Sequence, residues 1–97
     1  MSKPKIIIRY CPKCHWLLRS AWMSQELLST FQDDLASVTL EPAEESGRFE
    51  ILYNEELVWE RRRDGGFPDV KELKQRVRDL LDPERDLGHL DRKKEES

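Results

Sequence analysis

The only two cysteines of the 97-residue chain stand two residues apart, in Tyr10-Cys11-Pro12-Lys13-Cys14-His15-Trp16. That spacing lets two sulfurs close a small ring reversibly, and a strand-to-helix junction is the usual place for such a redox dithiol. The thiolate is the nucleophile, so positive potential nearby favours the chemistry. Lys13, His15 and Arg19 follow the pair closely, and a helix N-terminus beside it adds to the effect. Pro12 stiffens the loop and removes an N–H. Three other readings compete. A structural zinc site wants four protein ligands, but only His15 and His89 remain to join the cysteines, with no second paired knuckle. Cys11-Pro12-Lys13-Cys14-His15 satisfies the C-x-x-C-H pattern of haem attachment, but that chemistry needs export, and a β-rich middle does not suit a small helical cytochrome. Two ordinary buried cysteines would need neither this spacing nor this position. The redox dithiol is preferred, with no metal and no resident cofactor.

The elements that must hold this junction follow from pattern. Lys5 to Tyr10 is β-branched and apolar on both sides, which predicts a central strand at least partly covered on both faces. From Trp16 to Gln32 the period becomes helical. Leu17, Ala21, Leu28 and Phe31 form the expected core stripe, widened by Leu18, Trp22 and Leu27. Val38 to Glu41 reads as a second strand stopped by Pro42, parallel to the first through a right-handed crossover. Phe49, Ile51 and Tyr53 alternate with Glu50, Leu52 and Asn54, and Leu57 and Trp59 with Glu56, Val58 and Glu60, around Asn54-Glu55, a β-hairpin. Arg61 to Gly66 is a charged, flexible break. Phe67-Pro68-Asp69 opens a second helix, with Pro in its first turn. Val70, Leu73, Val77, Leu80 and Leu81 line that helix's apolar face until Asp82-Pro83 stops it. The predicted fold class is α/β: a small thioredoxin-like fold, β-α-β-β-β-α, with a four-stranded mixed sheet and two helices. Residues 1–82 form the domain, and 83–97 a charged tail expected to be disordered.

Composition bounds the function. Hydrophobic residues make up 37% and charged residues 38%, with a net charge of −3. This allows one modest core and argues against a general nucleic-acid or anionic-membrane binder. No apolar run approaches the roughly 20 residues that span a bilayer. The N-terminal run is too short for a signal peptide core, so a cytoplasmic location is expected, where lone disulfides are transient. Trp22 and Trp59 are expected to pack in or beside the core. Trp16 is divided between packing and a contact surface beside the dithiol. His15 is expected to be a solvated loop residue, and Arg61 to Arg63 a solvated edge rather than an anion site.

Cys11-x-x-Cys14 after the first strand, Trp16-Leu17-Leu18-Arg19, Gly47-Arg48-Phe49-Glu50-Ile51, Trp59, and Gly65-Gly66-Phe67-Pro68 with Glu72-Leu73-Lys74 occur in one order. Together they resemble the selenoprotein W-like (Rdx) family, and its bacterial members above all, over about residues 5–82. The resemblance implies a thioredoxin-like fold and a thiol-based redox role, with glutathione or thiol-containing proteins as redox counterparts. It implies Cys11 and Cys14 as the reacting pair, with Pro12, Lys13, His15, Trp16, Gly65, Gly66 and Phe67 as the surface around them. Two departures stand out. Cys14 occupies the position where the family's selenoproteins carry selenocysteine, and a thiol is the weaker acid. Pro12 stands where Gly often follows the first cysteine. Thioredoxin logic makes Cys11 the attacking thiol, whereas the selenocysteine position leans towards Cys14; the choice stays open here. Two functions follow: a thiol–disulfide oxidoreductase or peroxide-linked antioxidant, or a redox-gated binding module without turnover.

Overall fold

A computed structural model describes residues 3–82 of the chain. The chain runs through β1 (Lys5–Tyr10), a 3-10 turn (Pro12–Cys14), α1 (Leu17–Phe31), β2 (Ser37–Pro42), β3 (Phe49–Tyr53), β4 (Glu56–Glu60), α2 (Arg61–Asp64) and α3 (Val70–Leu81). The sheet order is β2-β1-β3-β4. β1 pairs parallel with β2, Ile8 opposite Leu40, and antiparallel with β3, Ile8 opposite Ile51. β3 and β4 form the hairpin, with a register shift at Ile51/Leu52. This is the thioredoxin-like β-α-β-β-β-α order with a mixed four-stranded sheet and two main helices.

Ile6, Ile8 and Tyr10 of β1 share one buried face with Phe49, Ile51 and Trp59. Met23, Leu27 and Phe31 of α1, and Leu73 and Val77 of α3, pack into the same cluster. Both helices therefore cover one side of the sheet. The second face of β1 is partly covered, as expected: Ile7, Arg9 and Leu52 there are half-buried. Ion pairs from Arg9 to Glu41 and Glu50 lie there instead of a second helical layer.

The packed face of α1 is also rotated from the expected stripe. Ser20, Met23, Ser24, Leu27 and Phe31 point into the core, while Leu17, Leu18, Trp22 and Leu28 are exposed. α1 carries more large apolar residues than one face can hold. At 3.6 residues per turn, Met23, Leu27 and Phe31 form one line of i, i+4 neighbours, and Leu17 and Leu28 fall beside it.

The predicted break after β4 is an ordered turn of helix. Glu60 caps α2 by accepting from the Arg63 N–H at 2.7 Å, and Asp64 accepts from the Glu60 N–H at 2.9 Å. Gly65, at φ +81, closes its C-terminus. Asp69 is the N-cap of α3, accepting from the Lys71 N–H at 2.7 Å. The buried Pro68 therefore precedes the cap rather than lying in the first turn. Asn54 takes the left-handed conformation the hairpin turn requires, φ +56. The expected tail, 83–97, lies outside the described residues.

Candidate active site

β1 ends at Tyr10 and delivers Cys11 to the edge of the core, where it is 1% exposed. The 3-10 turn then carries the chain back on itself. His15 closes it with its N–H on the Pro12 carbonyl at 3.1 Å and sits in the left-handed region at φ +62. α1 does not begin until Leu17, so the helix terminus stands beyond the motif rather than under it. Both cysteines are free thiols. The Cys14 S–H donates to Cys11 Sγ across 2.8 Å. A disulfide bond is roughly 2.05 Å long, so closing one needs little movement.

The two sulfurs are electrostatically unlike. The Cys14 thiol and the Gly47 N–H both donate towards Cys11 and outweigh its burial, with help from the N–H groups of Cys14 and Lys13. Together they bring the Cys11 thiol down to about 7. Cys14 moves the other way, because it gives its proton to that bond and is partly desolvated; Gly47 and the charge of Arg61 oppose the rise. One proton is thus shared by a pair whose acidity resides at Cys11 and whose solvent access lies at the half-buried Cys14.

A wall of rings joins the motif to the rest of the fold. Trp16 meets Phe67 edge-on, centroids 4.9 Å apart, and Phe67 meets Phe49 in the same way at 4.8 Å. The Arg19 guanidinium lies 3.9 Å over Phe67, and that of Arg61 lies 5.2 Å from the Trp16 ring centre. Trp59 Nε1–H donates to the Gly66 carbonyl at 2.8 Å, which fixes the Gly65-Gly66 segment behind Phe67. Pro12, Lys13 and His15 are exposed on the turn itself. Phe67 is therefore brought against Trp16, which follows the motif in the chain, and Gly66 is held by Trp59. Gly65 serves as the cap of α2 and has open space around its Cα.

Two residues that sequence reasoning did not assign to the site belong to its geometry. Gly47, in the loop between β2 and β3, has φ +79, and its N–H favours the thiolate at both sulfurs. Arg61 donates from Nε to the Gly47 carbonyl at 3.3 Å. Arg61 was expected on a solvated edge; it is instead half-buried against the site. The signals for the first were a glycine just before a strand and its place in the Gly47-Arg48-Phe49-Glu50-Ile51 motif, and nothing local marked the second. Among the described residues no three His, Cys, Asp or Glu side chains are grouped so as to hold a metal ion.

The model of the Rdx family matches residues 5–79. The chain belongs to the Rdx family. A solved structure of a Bordetella parapertussis protein is similar at 57% identity and a TM-score of 0.79, covering 81% of this chain and 99% of that one. A selenoprotein W-related protein from Vibrio cholerae is similar at 56% identity and a TM-score of 0.80, covering 84% and 100%. No functionally curated protein matches the chain. As a member of the Rdx family, the chain carries its C-x-x-C pair positioned for thiol–disulfide chemistry. Among the described residues no helix is long and apolar enough to cross a membrane.

Proposed function

We propose that this Rdx protein reduces disulfides by thiol–disulfide exchange, with Cys14 attacking and Cys11 resolving. One observation carries the reading: two free sulfurs 2.8 Å apart share a proton, and the more acidic of them is the less accessible. A visiting disulfide meets Cys14 first. As Cys14 Sγ bonds to one substrate sulfur, its proton passes to the Cys11 thiolate and the other substrate sulfur leaves as a thiolate. Cys11 then passes that proton to the substrate thiolate released in the first step and attacks Cys14 Sγ. The Cys11–Cys14 disulfide forms and the second substrate sulfur is released. Two electrons pass from the dithiol to the substrate, and the second departing thiolate takes up a proton according to its own acidity. Two glutathione thiols, or a protein dithiol, return the pair to its reduced state by the reverse exchange. In this reading the protein works in the cytoplasm, where such thiols are abundant.

Serine variants test the assignment. Cys11→Ser is expected to accumulate mixed disulfides with a glutathione disulfide or protein substrate, visible by mass spectrometry. Cys14→Ser is expected to form almost none. The opposite pattern would make Cys11 the attacking thiol. A protein that closes no internal disulfide across a glutathione redox series, yet captures partners differently when reduced and oxidised, would instead be a redox-gated binding module.

A further inference from the structure

We infer that the motif turn and the start of α1 form a docking surface for one kind of partner. That partner is a protein segment whose disulfide lies between an apolar side chain and acidic residues. The inference rests on the exchange chemistry proposed above and names what that chemistry acts on.

The apolar half of the surface comes from the rotation of α1. Leu18 is 80% exposed and Trp22, one turn later, 49%. Both project away from the face that Met23, Leu27 and Phe31 bury. Beside them a depression of about 330 Å³ opens, lined by Tyr10, Pro12, His15, Leu17 and Leu18. It therefore includes two residues of the motif turn, so a chain bonded to Cys14 can lay a neighbouring side chain into it. Apolar side chains gathered at a reactive centre and left in water mark a contact surface rather than a packing remainder.

Charge selects the occupant. Arg9, Arg48, Arg63 and Arg76 all pair with carboxylates. Lys13, Arg19 and Arg61 make no ion pair among the described residues, and Arg62 acts on Glu60 without a close ion pair; Arg19 and Arg61 lie over the rings of Phe67 and Trp16 instead. A chain of net charge −3 thus keeps a cationic rim at its motif end. Potential of that kind recruits and orients an acidic partner. It also opposes a second copy of this chain, because a two-fold contact through this patch would set the two cationic rims against each other. A molecule as small as glutathione can answer the charge but cannot also cover Leu18 and Trp22.

The test uses the reduced full-length protein and three cyclic peptides closed by one disulfide. Beside the reactive cysteine they carry Leu with Glu, Ser with Glu, or Leu with Lys. Each rate is divided by the rate with dithiothreitol, which removes differences intrinsic to the peptide. Hydroxyethyl disulfide serves as the small substrate. The Leu-with-Glu peptide is expected to react about tenfold faster than either of the others, and that advantage is expected to shrink as salt rises. Leu18→Ser, at a position too exposed to disturb the core, is expected to abolish the Leu-over-Ser preference while leaving the hydroxyethyl disulfide rate unchanged. Equal rates for the three peptides would overturn the inference. So would a Leu preference that survives Leu18→Ser, or sedimentation of the wild type as a dimer that Leu18→Ser dissolves. Failure to reduce even hydroxyethyl disulfide is a separate result: it overturns the exchange chemistry itself, and this surface's role with it.

Discussion

Acidity and access reside on different sulfurs of this motif, and that division decides how its reactivity should depend on pH. The first proton leaves the pair near pH 7, because Cys11 is brought down to about 7 by the Cys14 thiol and the Gly47 N–H. Alkylation of the wild-type protein should therefore rise through a midpoint near 7 and fall about tenfold per pH unit below it. Cys11→Ser takes away the sulfur that accepts the Cys14 proton. The midpoint of the remaining thiol should then climb towards or beyond the ordinary thiol value of about 8.5. A midpoint that stays near 7 in that variant would place the acidity on Cys14. Gly47→Ala probes the second donor. A side chain there meets Arg61 and Arg62 only at ordinary contact distance, 3.6 and 3.5 Å. The cost is conformational, because φ is +79, and is about 1 kcal/mol. Relaxation of that strain tilts the N–H away from the sulfurs. Urea denaturation should show the loss, and alkylation should show a raised midpoint. A destabilised protein with an unmoved midpoint would remove Gly47 from the site.

At the level of elements, the shortest helix bears most directly on the chemistry. α2 has four residues and buries none of them, so hydrophobic burial does not hold it. Its order comes from Glu60 and Asp64, each accepting from the other end of the turn, and from Arg63 and Arg76, which pair with Asp64 at 2.9 and 3.4 Å. Burial pushes the Asp64 carboxyl up, but the Glu60 N–H, Arg63 and Arg76 outweigh it and leave its pKa below the usual value. A carboxylate depressed in the folded state stabilises at pH above its unfolded pKa of about 3.9 and loses that contribution as pH falls through the folded value. Asp64→Ala should therefore cost about 1–2 kcal/mol at neutral pH, and the difference between the two proteins should shrink as pH falls through the lowered Asp64 value. The thiol midpoint should rise as well, because Arg61 starts this turn. Such an element was not legible in Arg61-Arg62-Arg63-Asp64: it has no apolar period, and its caps are side-chain bonds that any charged loop could contain. β1, β2 and the β3–β4 hairpin were legible because alternation and turn chemistry are local. The face of α1 was not. Its sequence offers apolar residues around much of the helix, and the packed face includes Ser20 and Ser24, which no hydrophobic pattern selects. The cysteine pair could be read because it lies in one stretch. Gly47 and Arg61 could not, since only the β2–β3 loop and the turn after β4 bring them to the sulfurs.

Across the whole molecule, the helices cover one side of the sheet and the redox pair sits at the end of its interior strand β1. The uncovered side is clasped by Arg9, which reaches from β1 to Glu41 on β2 and, at 2.6 Å, to Glu50 on β3. Glu50 also accepts from Arg48 at 3.3 Å. The clasp ties three strands together far along the sheet normal from the helical layer, whereas Arg61 ties the β2–β3 loop to the sulfurs. Frame and chemistry should therefore respond to different arginines. Arg9→Met is expected to lower stability by about 1 kcal/mol, the scale of a partly exposed ion-pair network, with a smaller loss at high salt. It should leave the alkylation midpoint where it was, because Cys11 and Cys14 take their donors from the other residues named above. Arg61→Met should do the reverse. It removes a positive charge that Cys14 feels and frees the Gly47 carbonyl, so the midpoint rises with little change in stability. The double variant should show the sum of the two effects to within about 0.5 kcal/mol. Denaturation and pH-dependent alkylation of all four proteins measure this directly. A midpoint shift in Arg9→Met, or a coupling well above that margin, would mean that the open face of the sheet transmits strain through Glu50 and Arg48 to Gly47, making the clasp part of the site.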